Sequence, residues 1–216
     1  MSDEIITPPH ELFEFFKKRT QLHHDLVYRN MMHFAIDKKG SFNSAIEERA
    51  GIHDVSKFEK PEMPGFIWLT AYYWLQKKNP NFEYTKDDDK QIQYVYEYMA
   101  SIGSDIELDK LTSQLKSQFS ISFEHHYANN RHHPEYHANL LDMTDLDLIE
   151  MVCDWTAMSQ ELKQDNGSAK AWADMVIGER FAFTSCTRVD YIYEQIDFLD
   201  EANKQPLFVC KRSDIY

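Results

Sequence analysis

The sequence predicts an all-α fold, a compact multi-helix bundle, and three observations carry that expectation. Apolar residues recur at i, i+3, i+4 and i+7 along most of the 216 residues, which is the period of a helix with one face on a core. Only 6 Gly and 7 Pro interrupt the chain, so breaks are few and the helices can be long. Extended segments are scarce, with residues 181–184 and 206–210 the only short candidates. Residues 1–216 read as a single domain with its core at about 11–200, long enough to bury roughly 70% of the unfolded surface.

Each element has a local reason. Pro8 and Pro9 precede a helix expected from about Glu11 to Ile36, with Phe13, Phe16, Val27, Met31, Phe34 and Ala35 on one stripe and His23 and His24 flanking its middle. Gly40 ends it, and Ser44 with Glu47 offers a capping box for a short helix that runs into Gly51-Ile52-His53-Asp54. From Pro61 to about Lys78, GFIWLTAYYWL reads as one buried helix closed by Asn79-Pro80. Asp87-Asp88-Asp89 suits the first turn of the next helix, which carries Ile92, Val95, Tyr96 and Met99. After a turn at 101–105, a helix from Leu108 to about Asn129 delivers His125 and His126 at its end. Arg131-His132-His133 leaves the helix because the residue before Pro134 is pushed to extended dihedrals. Thr144 with Asp147 opens a further helix whose stripe is Leu148, Met151, Val152, Trp155, Met158 and Leu162, with Asp154 on its edge. A last helix is expected from about Arg188 to Asn203.

Charge and cysteine content narrow the partners. A formal net charge of −13 and a pI near 5.1 repel a phosphate backbone or an anionic membrane, so neither duplex nucleic acid nor a membrane is an expected partner. A metal ion with a few basic side chains can still reverse the field inside one cleft and admit a small anionic substrate. Cys153, Cys186 and Cys210 are an odd number without C-x-x-C spacing, which fits reduced thiols and a cytoplasmic location. The N-terminus lacks a basic stretch followed by an apolar one, and the most apolar run, Phe66 to Leu75, is too short to span a bilayer. The oligomeric state stays open, a homodimer being one option.

Histidine is crowded into short stretches: His23-His24, His53, and His125-His126 with His132-His133. An imidazole beside an apolar stripe is ordinarily a satisfied boundary residue, but several of them together with Asp54 and Asp154 are not explained that way. Burying an ionised carboxylate is costly unless a cation or several donors compensate, and a divalent ion held by imidazoles is a natural compensator. No Gly-rich phosphate loop, G-x-S-x-G or zinc-ribbon spacing competes. The aromatic run Trp68 to Trp74, with Tyr94, Tyr96 and Tyr98, reads as core, although such rings can also stack a nucleobase.

GIHDVSKF, with a helix-borne His upstream and a helical Asp downstream, resembles the HD superfamily of metal-dependent phosphohydrolases. More closely, Thr20-x-x-His23-x-x-x-Val27, His53-Asp54-x-Ser56-Lys57-Phe58, the His125 to His133 block with Asn130, and Glu150-Met151-x-x-Asp154-Trp155 resemble an HD-like family of unknown function found in bacteria and phages. The resemblance spans about Thr20 to Trp155. It implies an HD-like bundle in which His23, His53, Asp54 and Asp154 are metal ligands, with His24 the other choice on the first helix. It implies further that His126 and His132 or His133 hold or bridge a second ion where two are present, leaving the count at one or two of Mn, Co, Mg, Zn or Fe.

The chemistry implied is phosphoester hydrolysis of a small phosphorylated substrate, a nucleotide first, because a divalent ion brings bound water toward neutral pKa and polarises a phosphoryl oxygen. Lys57, one turn from Asp54, then contacts the phosphate or protonates the leaving oxygen. Arg131 and Asn130 either bind substrate phosphate or close the turn between the His pairs. Two other readings remain: a di-iron oxygenase built on the same ligands, and a non-catalytic binding or regulatory protein with a structural metal.

Overall fold

The computed structural model describes residues 7–36, 40–78 and 88–204, with the backbone alone described for 88–91. Among them the fold is all-α. The expectations at Asn79-Pro80, at the Asp87-Asp88-Asp89 side chains, at 206–210 and at Cys210 lie outside the described residues. The helices are α1 (His10–Met32), α2 (Ser44–Ile52), α3 (Glu62–Leu69), α4 (Ala71–Lys78), α5 (Asp88–Ser101), α6 (Leu108–Asn129), α7 (Asp145–Leu162), α8 (Lys170–Val176) and α9 (Cys186–Ala202). No strand forms among the described residues. Phe181 makes one isolated bridge with Ile177, and Ile36 one with Phe42. No helix there is long and apolar enough to cross a membrane.

The helices sort into two units, one of Met1–Gln21 with Asp54–Asn130 and one of Leu22–His53 with Arg131–Tyr216. In the first, α1 contributes Leu12 and Phe16, α3 and α4 contribute Ile67, Trp68, Ala71 and Trp74, and Ile92, Val95, Met99, Leu111 and Leu115 complete the core. Burying each of the larger side chains contributes about 1.5–3 kcal/mol. Trp68, Tyr72 and Trp74 are all buried, so these rings are core rather than a stacking platform. The single helix expected over Pro61 to Lys78 is instead two, because Thr70 caps α3 and its hydroxyl donates to the Ile67 carbonyl at 2.7 Å. Helices α3 and α6 approach closely at Gly65, where an added Cβ would lie 2.7 Å from the Gln118 carbonyl and closer still to the Ser122 hydroxyl. That hydroxyl donates to the Glu62 carbonyl at 2.9 Å.

In the second unit α7 is buried almost all round, its Leu148, Met151, Val152, Cys153, Trp155 and Ala157 packed with Val27 and Met31 of α1, Ile46 and Ala50 of α2, and Ile192, Ile196 and Leu199 of α9. The expected cap of α7 is present: Thr144 Oγ1 accepts from the Asp147 amide while Asp147 Oδ2 accepts from the Thr144 amide. At α2 the expected Ser44–Glu47 box gives way to Asn43, whose side chain accepts from the Ala45 amide at 3.1 Å, and Glu47 accepts instead from Tyr28. Helix α1 stops at Met32, short of the expected Ile36, as the chain turns back and the Asn43 amide donates to the Ala35 carbonyl. Helix α8 was not legible in the sequence. Its seven residues are held by burial of Ala173 and Val176, next to the buried Ala169, rather than by a periodic stripe of useful length.

Candidate metal centre

The corner at His53-Asp54 is built by backbone geometry. His53 caps α2 in extended conformation, and Asp54 follows in the left-handed region at φ 55°, ψ 16°. A short polar residue tolerates that region better than most, so the chain can reverse there without a glycine. His53 is 1% and Asp54 2% exposed, so both are withdrawn from solvent.

In the unit that holds His53, four stretches meet. α1 presents His23, α2 ends in His53, the segment before Pro134 presents His132, and α7 presents Glu150 and Asp154 at i, i+4 on one face. His23 Nε2 lies 2.9 Å and His53 Nε2 3.7 Å from Asp154 Oδ1. A tetrahedral shell of radius about 2.1 Å places neighbouring donors about 3.4 Å apart, so both separations from Asp154 Oδ1 are near those of neighbouring donors in such a shell. Their ligand atoms lie within 4.8 Å of one another, and His53, His132 and Glu150 satisfy the same limit. The side chains of His23 and His53 are essentially buried, whereas that of Asp154 is 15% exposed. This cluster can hold a metal ion.

Its electrostatics point the same way. Burial alone would raise the Asp154 carboxyl, but the hydrogen bond from His23 and the nearby imidazoles of His53 and His132 hold it well below the usual carboxylate range. Glu150 is opposed by burial too and is held down by His132 and His53. Glu150 Oε1 accepts from His53 Nδ1 at 2.9 Å and lies 3.3 Å from His132 Nδ1, while Arg49 donates to Oε2 at 2.9 Å. Two ionised acids therefore sit among imidazoles, which is the donor set a borderline divalent ion prefers. Burial raises the Cys153 thiol far above its ordinary range, with the Glu150 and Asp154 charges adding to it, so this cysteine is an inert core residue.

The other unit carries Asp54 with His126. His126 Nε2 lies 3.4 Å from Asp54 Oδ1, and Lys57 Nζ donates to Asp54 Oδ2. Behind His126, Glu62 Oε2 accepts from Nδ1 at 2.9 Å, and Glu62 Oε1 accepts from His125 Nδ1 at 2.8 Å. Burial lowers the His126 pKa against the pull of Asp54 and Glu62, favouring a neutral imidazole. Asn130 donates to Ser56 Oγ at 3.0 Å and to the His126 carbonyl at 2.9 Å, so it closes the end of α6.

The remaining candidates separate cleanly. His24 Nε2 faces the Gly51 carbonyl at 3.4 Å and not Asp154. The His133 ring lies tilted against that of His132, with centroids 4.1 Å apart. Arg131 forms a two-pronged pair with Asp147, Nε to Oδ1 at 3.2 Å and Nη2 to Oδ2 at 3.0 Å, so its guanidinium is committed to closing the turn rather than presented for a phosphate. Glu150, Glu62 and Glu161 had no assigned role from sequence. Glu150 stood four residues before Asp154 and on its face, a usable signal. Glu161, whose Oε2 lies 3.7 Å from His23 Nδ1, repeats that face two turns on. Glu62 gave no signal beyond an acid opening an apolar helix.

Over residues 12–179 the chain matches the model of a family described as a family of unknown function (DUF5662). No curated protein matches, and no solved structure does.

Proposed function

The chain belongs to the DUF5662 family of unknown function, so its chemistry is read from its own residues, and we propose that it is a metal-dependent phosphohydrolase of HD type acting on a small phosphorylated substrate, a nucleotide first. One observation carries the reading. His23, His53 and Asp154, written far apart but in the H, HD, D order, bring two imidazole nitrogens within 2.9 and 3.7 Å of one carboxylate oxygen. Three protein donors leave room for water and substrate, the pattern of a catalytic rather than a closed structural site. The partial exposure of Asp154 fits a centre that a small molecule can reach.

A divalent ion held there would supply Lewis acidity, bringing water toward neutral pKa and drawing charge from a phosphoryl oxygen. The chain supplies the rest. Asp154 is kept ionised by its imidazole neighbours, so it offers charge without having to lose a proton at working pH. His23 Nε2 shares its proton with Asp154 in the metal-free protein and yields it when an ion takes that place. Lys57, whose ammonium pairs with Asp54, is the proposed proton donor to the leaving oxygen. Arg131 and Asn130 drop out of substrate binding on this reading, because Asp147, Ser56 and the His126 carbonyl occupy them.

The surplus of imidazoles favours a second reading. Within the unit that holds His53, His132 with Glu150 exceeds what one ion at His23, His53 and Asp154 needs, and a di-iron centre activating O₂ would use them. Elemental analysis of purified protein with a phosphate-release screen over nucleotides and phosphoesters in Mn²⁺, Co²⁺, Mg²⁺ and Zn²⁺ separates the two. Phosphate release that disappears in Asp154→Asn supports the hydrolase. Two irons per chain with O₂ consumption and no phosphate release replaces it by the oxygenase.

A further inference from the structure

In each unit one buried glutamate accepts from the Nδ1 atom of an imidazole. Glu150, 2% exposed, takes His53 Nδ1 at 2.9 Å on one oxygen, its other oxygen being held by Arg49. Glu62, 0% exposed, takes His125 Nδ1 and His126 Nδ1 at 2.8 and 2.9 Å on its two oxygens. Asn130 Nδ2 lies 3.0 Å from His126 Nδ1 and has Ser56 Oγ and the His126 carbonyl as acceptors for its two hydrogens. A carboxylate can only accept, so a proton sits on His53 Nδ1 and His126 Nδ1 and the lone pair of each neutral ring is left on Nε2.

We propose that Glu150 and Glu62 are positioning residues that lock His53 and His126 respectively as Nδ1–H tautomers and thereby make Nε2 the metal-binding atom of each. The inference rests on the metal-centre reading and adds to it which atoms bind and what selects them. Geometry supports the assignment, since His53 Nε2 is the atom turned toward Asp154 and His126 Nε2 the atom turned toward Asp54.

Glu150, His53 and His132 are also close enough to be ligands themselves, but that use is disfavoured. His53 would have to surrender its Nδ1 proton, and Glu150 would have to leave the Arg49 contact that holds it. The motif also gives Glu150 of the E-M-x-x-D block a task. It stands one turn before Asp154 so that the same helix face supplies a ligand and the clamp for another.

Long-range ¹H–¹⁵N spectra of the histidine rings in the metal-free wild-type chain, at about pH 8, above the ordinary imidazole range, read the tautomers directly. Nδ1–H signals for His53 and His126 are expected. An Nε2–H signal for either overturns the proposal, and this test needs no variant to fold. Co²⁺ titration followed by visible absorption then compares Glu150→Gln with Arg188→Leu. The Gln amide can donate to Nδ1 and reverse the tautomer, so its Kd is expected to rise tenfold to a hundredfold with an altered ligand-field band. Arg188→Leu removes only the pair with Asp145 at the start of α7 and should keep the wild-type band. A wild-type Kd and band in Glu150→Gln, or an equal loss in Arg188→Leu, overturns the positioning role. A wild-type chain that binds no Co²⁺ removes the metal reading itself, a failure the tautomer spectra do not share.

Discussion

His23 Nε2 lies 2.9 Å from Asp154 Oδ1, tying α1 to α7 between residues 131 positions apart. Neither partner is useful alone: a buried imidazole without an acceptor and a buried carboxylate without donors each cost about 1–3 kcal/mol. Asp154→Asn keeps the shape and removes the charge. It is expected to lower divalent-metal affinity at least a hundredfold by isothermal titration calorimetry, and unchanged affinity would exclude Asp154 as a ligand.

If the cluster holds an ion only in the folded state, the ion stabilises the fold by mass action. At a free concentration a hundred times Kd the gain is about 2.7 kcal/mol. For a chain of this size about 2–4 °C of Tm accompanies each kcal/mol, so a rise of roughly 5–10 °C is expected on adding Zn²⁺ or Mn²⁺ to chelated protein. Thermal scans with and without EDTA check it, and coincident curves at saturating metal would count against binding to the native state.

Much of this was legible in the sequence where the cause is local. The α1 stripe as far as Met31, the Thr144–Asp147 cap and the loss of helix before Pro134 each depend on residues within one or two turns, and these form as expected. The pairing of a first-helix His with a distal Asp was legible through the H, HD, D order. Three things were not. The Thr70 break depends on one hydroxyl turning back onto Ile67 inside a run that is apolar throughout. The roles of Glu150 and Glu62 depend on partners about 60 to 100 residues away, which periodicity cannot pair. Arg131 looked free for a phosphate because Asp147, its partner, had already been explained as a cap.

Asp147 gives a pH dependence with a definite sign. Burial raises its carboxyl, but hydrogen bonds from Arg131, Thr144 and Arg49 overcome this and bring it down from 3.8 to about 2. A folded pKa below the unfolded one contributes stability that is complete above about pH 4 and lost as pH falls through about 2, an effect of roughly 2 kcal/mol. In urea titrations the wild type should therefore fall more steeply than Asp147→Asn between those two pH values. The variant should also start lower at neutral pH, since Arg49 and Arg131 lose their shared acceptor. Parallel slopes for the two proteins would show that Asp147 does not titrate as its surroundings require.

Gly65→Ala tests whether the α3–α6 approach sets the height of Glu62 under its histidines. Alanine is the better helix former by about 1 kcal/mol, so an open site would gain stability from the change. Here the new methyl meets the Ser122 hydroxyl and the Gln118 carbonyl, and the carbonyl is backbone that moves only with its helix. Overpacking of this kind costs about 1–3 kcal/mol and outweighs the propensity gain. Because Ser122 also bonds the Glu62 carbonyl, forcing the helices apart should loosen the hold on His126 as well. The expected result is a lower urea midpoint with a shifted His126 ring signal. A midpoint at or above wild type would mean that α3 and α6 lie further apart at Gly65 than described.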